Sequence, residues 1–232
     1  MPQARNVAGI LLAAGEGSRL GRPKALLVVG GQTLARRGIE LLHAGGASPV
    51  IVVTGAARLD GRGAEPRTGP GDGGPADGIG VQPGTGVDDG EPPDVISVHN
   101  PRWRTGMGSS VAVGLAAVPG DCAAAVLALA DQPLVGPESV RRLIAAHAEG
   151  ARVVVACYEG RPRNPVLISR EHFAEVTELA RGDVGARPFL QAHPDLVTRI
   201  ECGDTGGPDD IDTREDLARV ETRLGSAAPF RS

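Results

Sequence analysis

The sequence predicts an α/β fold built around a mostly parallel sheet. Short apolar runs of strand length alternate with longer helix-like stretches, the pattern of parallel strands with helices packed on their faces. The first run is apolar throughout rather than alternating, as in strands buried on both sides. The chain has 232 residues, enough for one large domain or two small ones with a real core. Aromatic residues make up only 2%, so aliphatic side chains must carry that core.

Residues 7–14 (VAGILLAA) form the first strand. Thr33 is placed to cap a helix over 34–43, which Gly45 and Gly46 stop. A second strand follows at 49–54 (PVIVVT), a third at 95–99 and a fourth at 123–130 (AAAVLALA). The fourth run has helical propensity, but its length and the Asp131-Gln132-Pro133 stop favour a strand. Helices are expected at 110–118 and at 137–149, the latter with Pro137 in its first turn and Gly150 at its end. A fifth strand is expected at 152–158. The remainder reads as a strand at 165–169, a helix at 171–180, a short helix at 186–192, a strand at 196–201 and a last helix at 214–224. Residues 60–93 break the pattern: 17 of these 34 residues are Gly or Pro and none is aromatic. Such a stretch cannot bury enough apolar surface to offset its ordering entropy. It is expected to be a flexible insertion within a single domain spanning 1–232.

The net charge of −4 disfavours a general nucleic-acid binder, though not a small anion held by a few local cations. Cys122, Cys157 and Cys202 are odd in number and far apart, which argues against a disulfide framework or a structural zinc site. The five histidines show no metal-ligand spacing. There is no signal-peptide pattern and no long apolar segment, so a cytoplasmic protein without membrane contact is expected.

The stretch LLAAGEGSRLGRPKALL, from Leu11 to Leu27, carries the first functional signal. A dinucleotide fingerprint needs G-x-G-x-x-G and an acid ending the second strand. Here Gly15, Gly17 and Gly21 put the third glycine one residue late, and the second strand ends in Thr54. The G-x-x-x-x-G-K-[ST] phosphate loop fails because Lys24 lies between Pro23 and Ala25. What remains is a strand, a glycine turn that lets backbone N–H groups face a ligand closely, and the cations Arg19 and Lys24 within reach of phosphates. A cation about 4 Å from a phosphate charge is worth roughly 4 kcal/mol at an effective dielectric near 20, before desolvation. The alternative is an ordinary glycine turn with solvated cations.

On Leu12, Ala13, Ala14, Gly15, Gly17, Arg19, Gly21, Pro23 and Lys24, the motif L-A-A-G-x-G-x-R-x-G-x-P-K resembles the signature of a nucleotidyltransferase family. That family includes molybdenum cofactor cytidylyltransferases, molybdopterin guanylyltransferases and sugar-1-phosphate nucleotidyltransferases. The resemblance implies a Rossmann-like three-layer α/β/α sandwich of the nucleotide-diphospho-sugar transferase type. It also implies a nucleotide site formed by Leu12, Ala13, Ala14, Gly15, Gly17, Ser18, Arg19 and Lys24.

Asp131, just past the fourth strand, stands where open α/β sheets bind ligands, and suits Mg²⁺, which takes one or two carboxylates plus phosphate oxygens and water. Its alternative is a turn-forming Asp. In DDIDTREDL, Thr213 and Asp216 form a capping-box pattern, so Asp212 either favours a helix start electrostatically or serves the site. The resemblance implies the second role, since D-T-P-E-D-L of the family carries a metal-binding Asp; Arg214 here replaces its Pro. NPRWRTGMGSSVAVGL resembles N-P-x-W-x-x-G-M-x-S-S of the cytidylyltransferase branch, which implies that Gly106, Met107, Ser109 and Ser110 lie near base and ribose. Ser109 also suits a plain helix cap. Trp103 is read as packing beneath this loop, with no stacking role. RPRNPVLI and GDVGAR resemble acceptor-side segments, implying contacts from Arg163, Asn164, Asp183 and Arg187, although Arg163-Asn164 replaces the family's Gly-His.

The activity implied is transfer of a nucleotide monophosphate from a nucleoside triphosphate to a phosphorylated acceptor, with pyrophosphate released and Mg²⁺ as cofactor. Lys24, Arg19 and Asp131 are the catalytic candidates. CTP and molybdenum cofactor are favoured because Ala14 stands where the guanylyltransferase branch has glycine; a molybdoenzyme partner is a corollary. GTP or another triphosphate with a different acceptor, and a non-catalytic nucleotide-binding module, are the alternatives.

Overall fold

The computed structural model describes residues 6–57, 59, 82–83 and 94–226. Its elements in chain order are β1 (Val7–Ala13), β2 (Val28–Val29), β3 (Gln32–Thr33), α1 (Leu34–Ala44), β4 (Val50–Thr54), β5 (Gln82–Pro83), β6 (Val95–His99), α2 (Met107–Ala116), β7 (Ala124–Leu129), α3 (Pro137–Ala148), β8 (Val153–Tyr158), β9 (Arg161–Ser169), α4 (Phe173–Leu179), α5 (Arg187–Ala192), β10 (Val197–Glu201) and α6 (Arg214–Ser226).

Eight strands form one sheet in the order β10-β8-β9-β7-β1-β4-β6-β5. β7, β1, β4 and β6 are parallel neighbours at its centre, and β8 is parallel to β10. Only β9 and the short β5 run against their partners. The continuous apolar runs of β1, β4 and β7 follow from burial on both faces. Leu11 and Ala13 point into one cluster with Ile39, Leu42, Val140 and Leu143 from α1 and α3. Ala8 and Ile10 point into the other, with Val111, Leu115 and Val176 from α2 and α4. The result is the three-layer α/β/α sandwich. A third cluster joins Leu27, Val29 and Leu34 to Ile211 and Val220, and so docks α6 on the β2–β3 hairpin.

The Thr33 hydroxyl accepts the Arg36 N–H at 3.2 Å, capping α1. Three elements start two or more residues away from where they were expected. β9 begins at Arg161 rather than 165, because Glu159 and Gly160 make a tight turn that pairs it back on β8. The Glu201 carboxylate holds that turn by accepting both their N–H groups at 3.0 Å. The helix expected at 171–180 opens as a separate 3-10 turn, Arg170–His172, before α4. α2 starts at Met107, three residues early, with Gly106 as its cap. The expected insertion at 60–93 lies outside the described residues, apart from Gln82–Pro83. No helix among the described residues is long and apolar enough to cross a membrane.

Candidate functional site

The carboxyl ends of β1 and β7 lie side by side, because these strands are paired in parallel from Val7↔Ala124 to Leu12↔Leu129. Beyond β1 the chain turns through Ala14–Gly17. Gly17 sits at φ 63°, and a Cβ there would meet the Arg22 carbonyl oxygen at 2.2 Å, so both backbone and space demand glycine. The 3-10 turn Ser18–Leu20 follows, then a second one at Lys24–Leu26. The Lys24 N–H reaches back to the Gly15 carbonyl at 3.4 Å, which folds the lysine over the start of its own loop.

Asp131 stands just past β7. Its carbonyl accepts the Ile211 N–H at 2.9 Å, so the segment before α6 is tied to the end of β7. Gln132 strengthens the tie: its Nε2 donates to the Pro208 carbonyl at 3.1 Å and to Asp210 Oδ1 at 2.7 Å. Asp212 then faces Asp131. The Lys24 ammonium donates to Asp131 Oδ2 at 2.7 Å and to Asp212 Oδ1 at 2.5 Å. Burial by itself lowers the Lys24 pKa, but the adjoining Asp131 and Asp212 carboxylates outweigh it and hold the pKa above the ordinary 10.5. The lysine is therefore charged. Desolvation and the nearby Asp131 charge push the Asp210 carboxyl up, against the pull of its Gln132 hydrogen bond.

The capping question at α6 resolves in geometry. Thr213 Oγ1 accepts the Asp216 N–H at 3.1 Å, and Asp216 Oδ2 accepts the N–H groups of Thr213 at 2.8 Å and Asp212 at 3.1 Å. Thr213 and Asp216 satisfy the helix start between them, which leaves the Asp212 carboxylate for Lys24.

The far wall comes from residues 100–110. Buried Asn100 donates from Nδ2 to Ser109 Oγ at 2.8 Å and Ser110 Oγ at 3.0 Å, and its Oδ1 accepts the Arg102 N–H at 2.9 Å. Gly106 has φ 109°, and a Cβ there would lie 2.3 Å from the Gly182 carbonyl carbon. This close approach brings Asp183 to the wall, where its Oδ1 accepts the Met107 N–H at 3.3 Å.

Between these walls lies a cleft of about 610 Å³. Of the sequence-derived residues, Leu12, Ala13, Ala14, Gly15, Gly17, Ser18, Lys24, Gly106, Met107, Ser110, Asp131 and Asp183 line it. Asp212 joins through Lys24. Others stand apart. Arg19 is exposed on the Ser18–Leu20 turn and is not in the lining. Ser109 lies inside the first turn of α2, where its hydroxyl donates to the Gly106 and Arg102 carbonyls, so it braces the loop instead of facing the cleft. Arg163 and Asn164 lie in the first half of β9, at the same end of the sheet as Asp131 but outside the lining; Arg163 bonds the Pro162 carbonyl at 3.0 Å. Arg187 opens α5, exposed and outside the lining. Sequence reasoning missed Glu16 and Arg104 in the lining, and the Gln132–Asp210 pair behind it. It gave Trp103 no stacking role, yet the Arg104 guanidinium lies over the indole, 4.3 Å from its centre. The W-R step in NPRWRT was the available signal.

A glycine turn and a lysine at one strand end, with acids from two further segments facing them, define an α/β protein of the nucleotide-handling class. Residues 9–197 match the model of the MobA-like NTP transferase domain, and the chain belongs to that family. It is 34% identical over 233 residues to nicotine blue oxidoreductase of Paenarthrobacter nicotinovorans, covering 92% of this chain and 96% of that one. A shorter match, 48% over 50 residues, links it to a probable molybdenum cofactor guanylyltransferase of Opitutus terrae, covering 22% of this chain and 25% of that one. Among solved structures, a homologue of Mycobacterium tuberculosis Rv0371c from Mycobacterium sp. strain JC1 superimposes with a TM-score of 0.68 at 29% identity, covering 95% of this chain and 98% of that one.

Proposed function

We propose that this NTP transferase moves a cytidylyl group from CTP to a phosphorylated acceptor of the molybdenum cofactor type and releases pyrophosphate. The observation that carries the reading is the Lys24 ammonium held between Asp131 and Asp212 at the mouth of the glycine turn. Two carboxylate oxygens drawn to one cation make a donor set suited to Mg²⁺, which needs one or two carboxylates and completes its shell with phosphate oxygens and water. Among the described residues no three His, Cys, Asp or Glu side chains form a metal cage. Asp131 and Asp212 would hold Mg²⁺, which when bound supplies charge neutralisation for the phosphate oxygens.

The chain's own part is binding and orientation. The glycine turn lets backbone approach the triphosphate, and Lys24, released from the acids, holds its outer phosphates. Arg19 assists from the turn beyond. The acceptor is a phosphate monoester with a second pKa near 6, largely dianionic at neutral pH, so its oxygen attacks without a general base. Arg163, Asn164, Asp183 and Arg187 are proposed to orient the acceptor, and a molybdoenzyme is the proposed recipient of the product. CTP is favoured because Ala14 is in the lining of the cleft where the guanylyltransferase branch carries glycine.

Two comparisons each support a rival. The match to a guanylyltransferase favours GTP. The name of the Paenarthrobacter relative favours a redox reaction in the same cleft. A pyrophosphate-release screen of CTP, GTP and ATP, each with and without molybdenum cofactor, separates them. Release from CTP that depends on the cofactor, and is abolished by Asp131→Ala, is the expected result. Equal release from CTP and GTP overturns the choice of base. No pyrophosphate from any of the three, with or without the cofactor, overturns nucleotidyl transfer.

A further inference from the structure

Among the described residues, Lys24 and Arg104 are the two cations that line the cleft. Lys24 is already engaged by two carboxylates. Arg104 forms no ion pair among the described residues; its guanidinium rests on the Trp103 ring, 4.3 Å from the centroid. Glu16, Asp131 and Asp183 line the same space, so acids outnumber cations there before any ligand enters. A triphosphate and a phosphate monoester together bring several more negative charges into it. With Lys24 engaged, a second cation in the lining favours their binding, and Arg104 supplies it.

Its parking place suits that task. An arginine stacked on an aromatic face has lost part of its conformational freedom but keeps its five N–H donors at the edge of the plane. A planar fork of this kind matches two oxygens of a phosphate group. Trp103 is itself fixed: it opens the 3-10 turn Trp103–Thr105, and Asn100 wires the preceding bend to Ser109 and Ser110. The stack thus holds a preset donor on the wall opposite the glycine turn.

We infer that Arg104, presented by the Trp103 ring, is a phosphate-binding residue of this cleft. The inference rests on the proposed nucleotidyl-transfer reading for the identity of the phosphate, whether triphosphate or acceptor monoester. Trp103 is the only tryptophan in the chain, so its fluorescence reports the stack directly.

The test titrates wild type, Arg104→Gln and Arg104→Lys with Mg-CTP, with Mg-GTP and with inorganic phosphate, following tryptophan emission and, by calorimetry, affinity. Wild-type emission should change as phosphate draws the guanidinium from the ring, and Arg104→Gln should lose that change. Its affinity should fall about 10- to 100-fold, the loss that goes with a charge-assisted hydrogen bond. Arg104→Lys should recover part of the affinity, because it keeps the charge and loses the fork. A response to Mg-CTP or Mg-GTP alone assigns Arg104 to the triphosphate; a response to inorganic phosphate, persisting with nucleotide bound, assigns it to the acceptor. Unchanged affinity in Arg104→Gln for every probe overturns the inference. Failure of wild type to bind either nucleotide overturns the nucleotide reading instead, and the inorganic phosphate titration then decides Arg104 on its own.

Discussion

Replacing Lys24 by methionine removes the charge from the centre of the site while keeping most of the side-chain bulk. The lysine side chain is 18% exposed, Asp131 22% and Asp212 51%. Each hydrogen bond to a charged group contributes about 1.5–3 kcal/mol net, and solvent at Asp212 puts its bond at the low end. The burial cost that the lysine no longer bears offsets part of the loss. The two carboxylates remain, with oxygens at most about 5 Å apart because both reached one nitrogen. At that spacing like charges repel by about 3 kcal/mol at an effective dielectric of about 20, reduced to about 1 kcal/mol by the water around Asp212. A loss of about 2–3 kcal/mol follows, and for a chain of this size the melting temperature falls by about 4–12 °C. The second half of the expectation concerns metal. With the ammonium gone, a divalent cation has both acids to itself, so millimolar Mg²⁺ should stabilise Lys24→Met more than wild type in the absence of nucleotide. Thermal unfolding followed by circular dichroism, in EDTA and in Mg²⁺, reads both effects. Equal stability of variant and wild type in EDTA would refute the ion-pair assignment. A magnesium gain that survived the additional change Asp212→Asn would put the metal elsewhere.

Gly17→Ala is expected to distort the glycine turn, since its Cβ collides with the Arg22 carbonyl and its φ of 63° is strained for alanine; calorimetry should show at least a tenfold loss of nucleotide affinity, and full affinity would mean that this turn does not bind it. Asp210→Asn should be neutral or slightly stabilising at pH 7. Asp210 has a folded pKa raised above 3.8, so ionising it opposes folding, and stability is gained as pH falls through the folded value towards 3.8. The amide keeps an acceptor for Gln132, and urea titrations across that window should show a flatter pH dependence than wild type; an unchanged slope would assign the pH effect to another group.

The central strands and α1 and α3 were legible because their signals are local. A strand buried on both faces must be apolar throughout, and Thr33 and Gly45 carry caps and stops in their own side chains and backbone. The early start of α2 was not legible, because Gly106 has no side chain with which to cap it. Its place is set by the Gly182 backbone packed against it, a contact between segments that no local pattern records. The β2–β3 hairpin was missed for a similar reason: two residues per strand leave no periodicity to detect, though Gly30 and Gly31, both with positive φ, mark its turn.

Within the site, chemistry was more legible than wiring. Lys24, Asp131 and Asp212 stood out because charge next to an apolar strand end or helix start demands a reason. The Gln132–Asp210 bond left no such mark, since DDID offers three aspartates of equal plausibility until the fold decides which reaches which partner. That bond has a consequence for Asp212. Asp210 and Ile211 are fastened to Gln132 and to the Asp131 carbonyl, so Asp212 follows them with little freedom of its own. The convergence of the two acids on Lys24 is therefore built by the backbone before the lysine contributes. The stack of Arg104 on Trp103 escaped notice on opposite grounds: the two residues are adjacent in sequence, and only the 3-10 turn at Trp103–Thr105 folds one over the other.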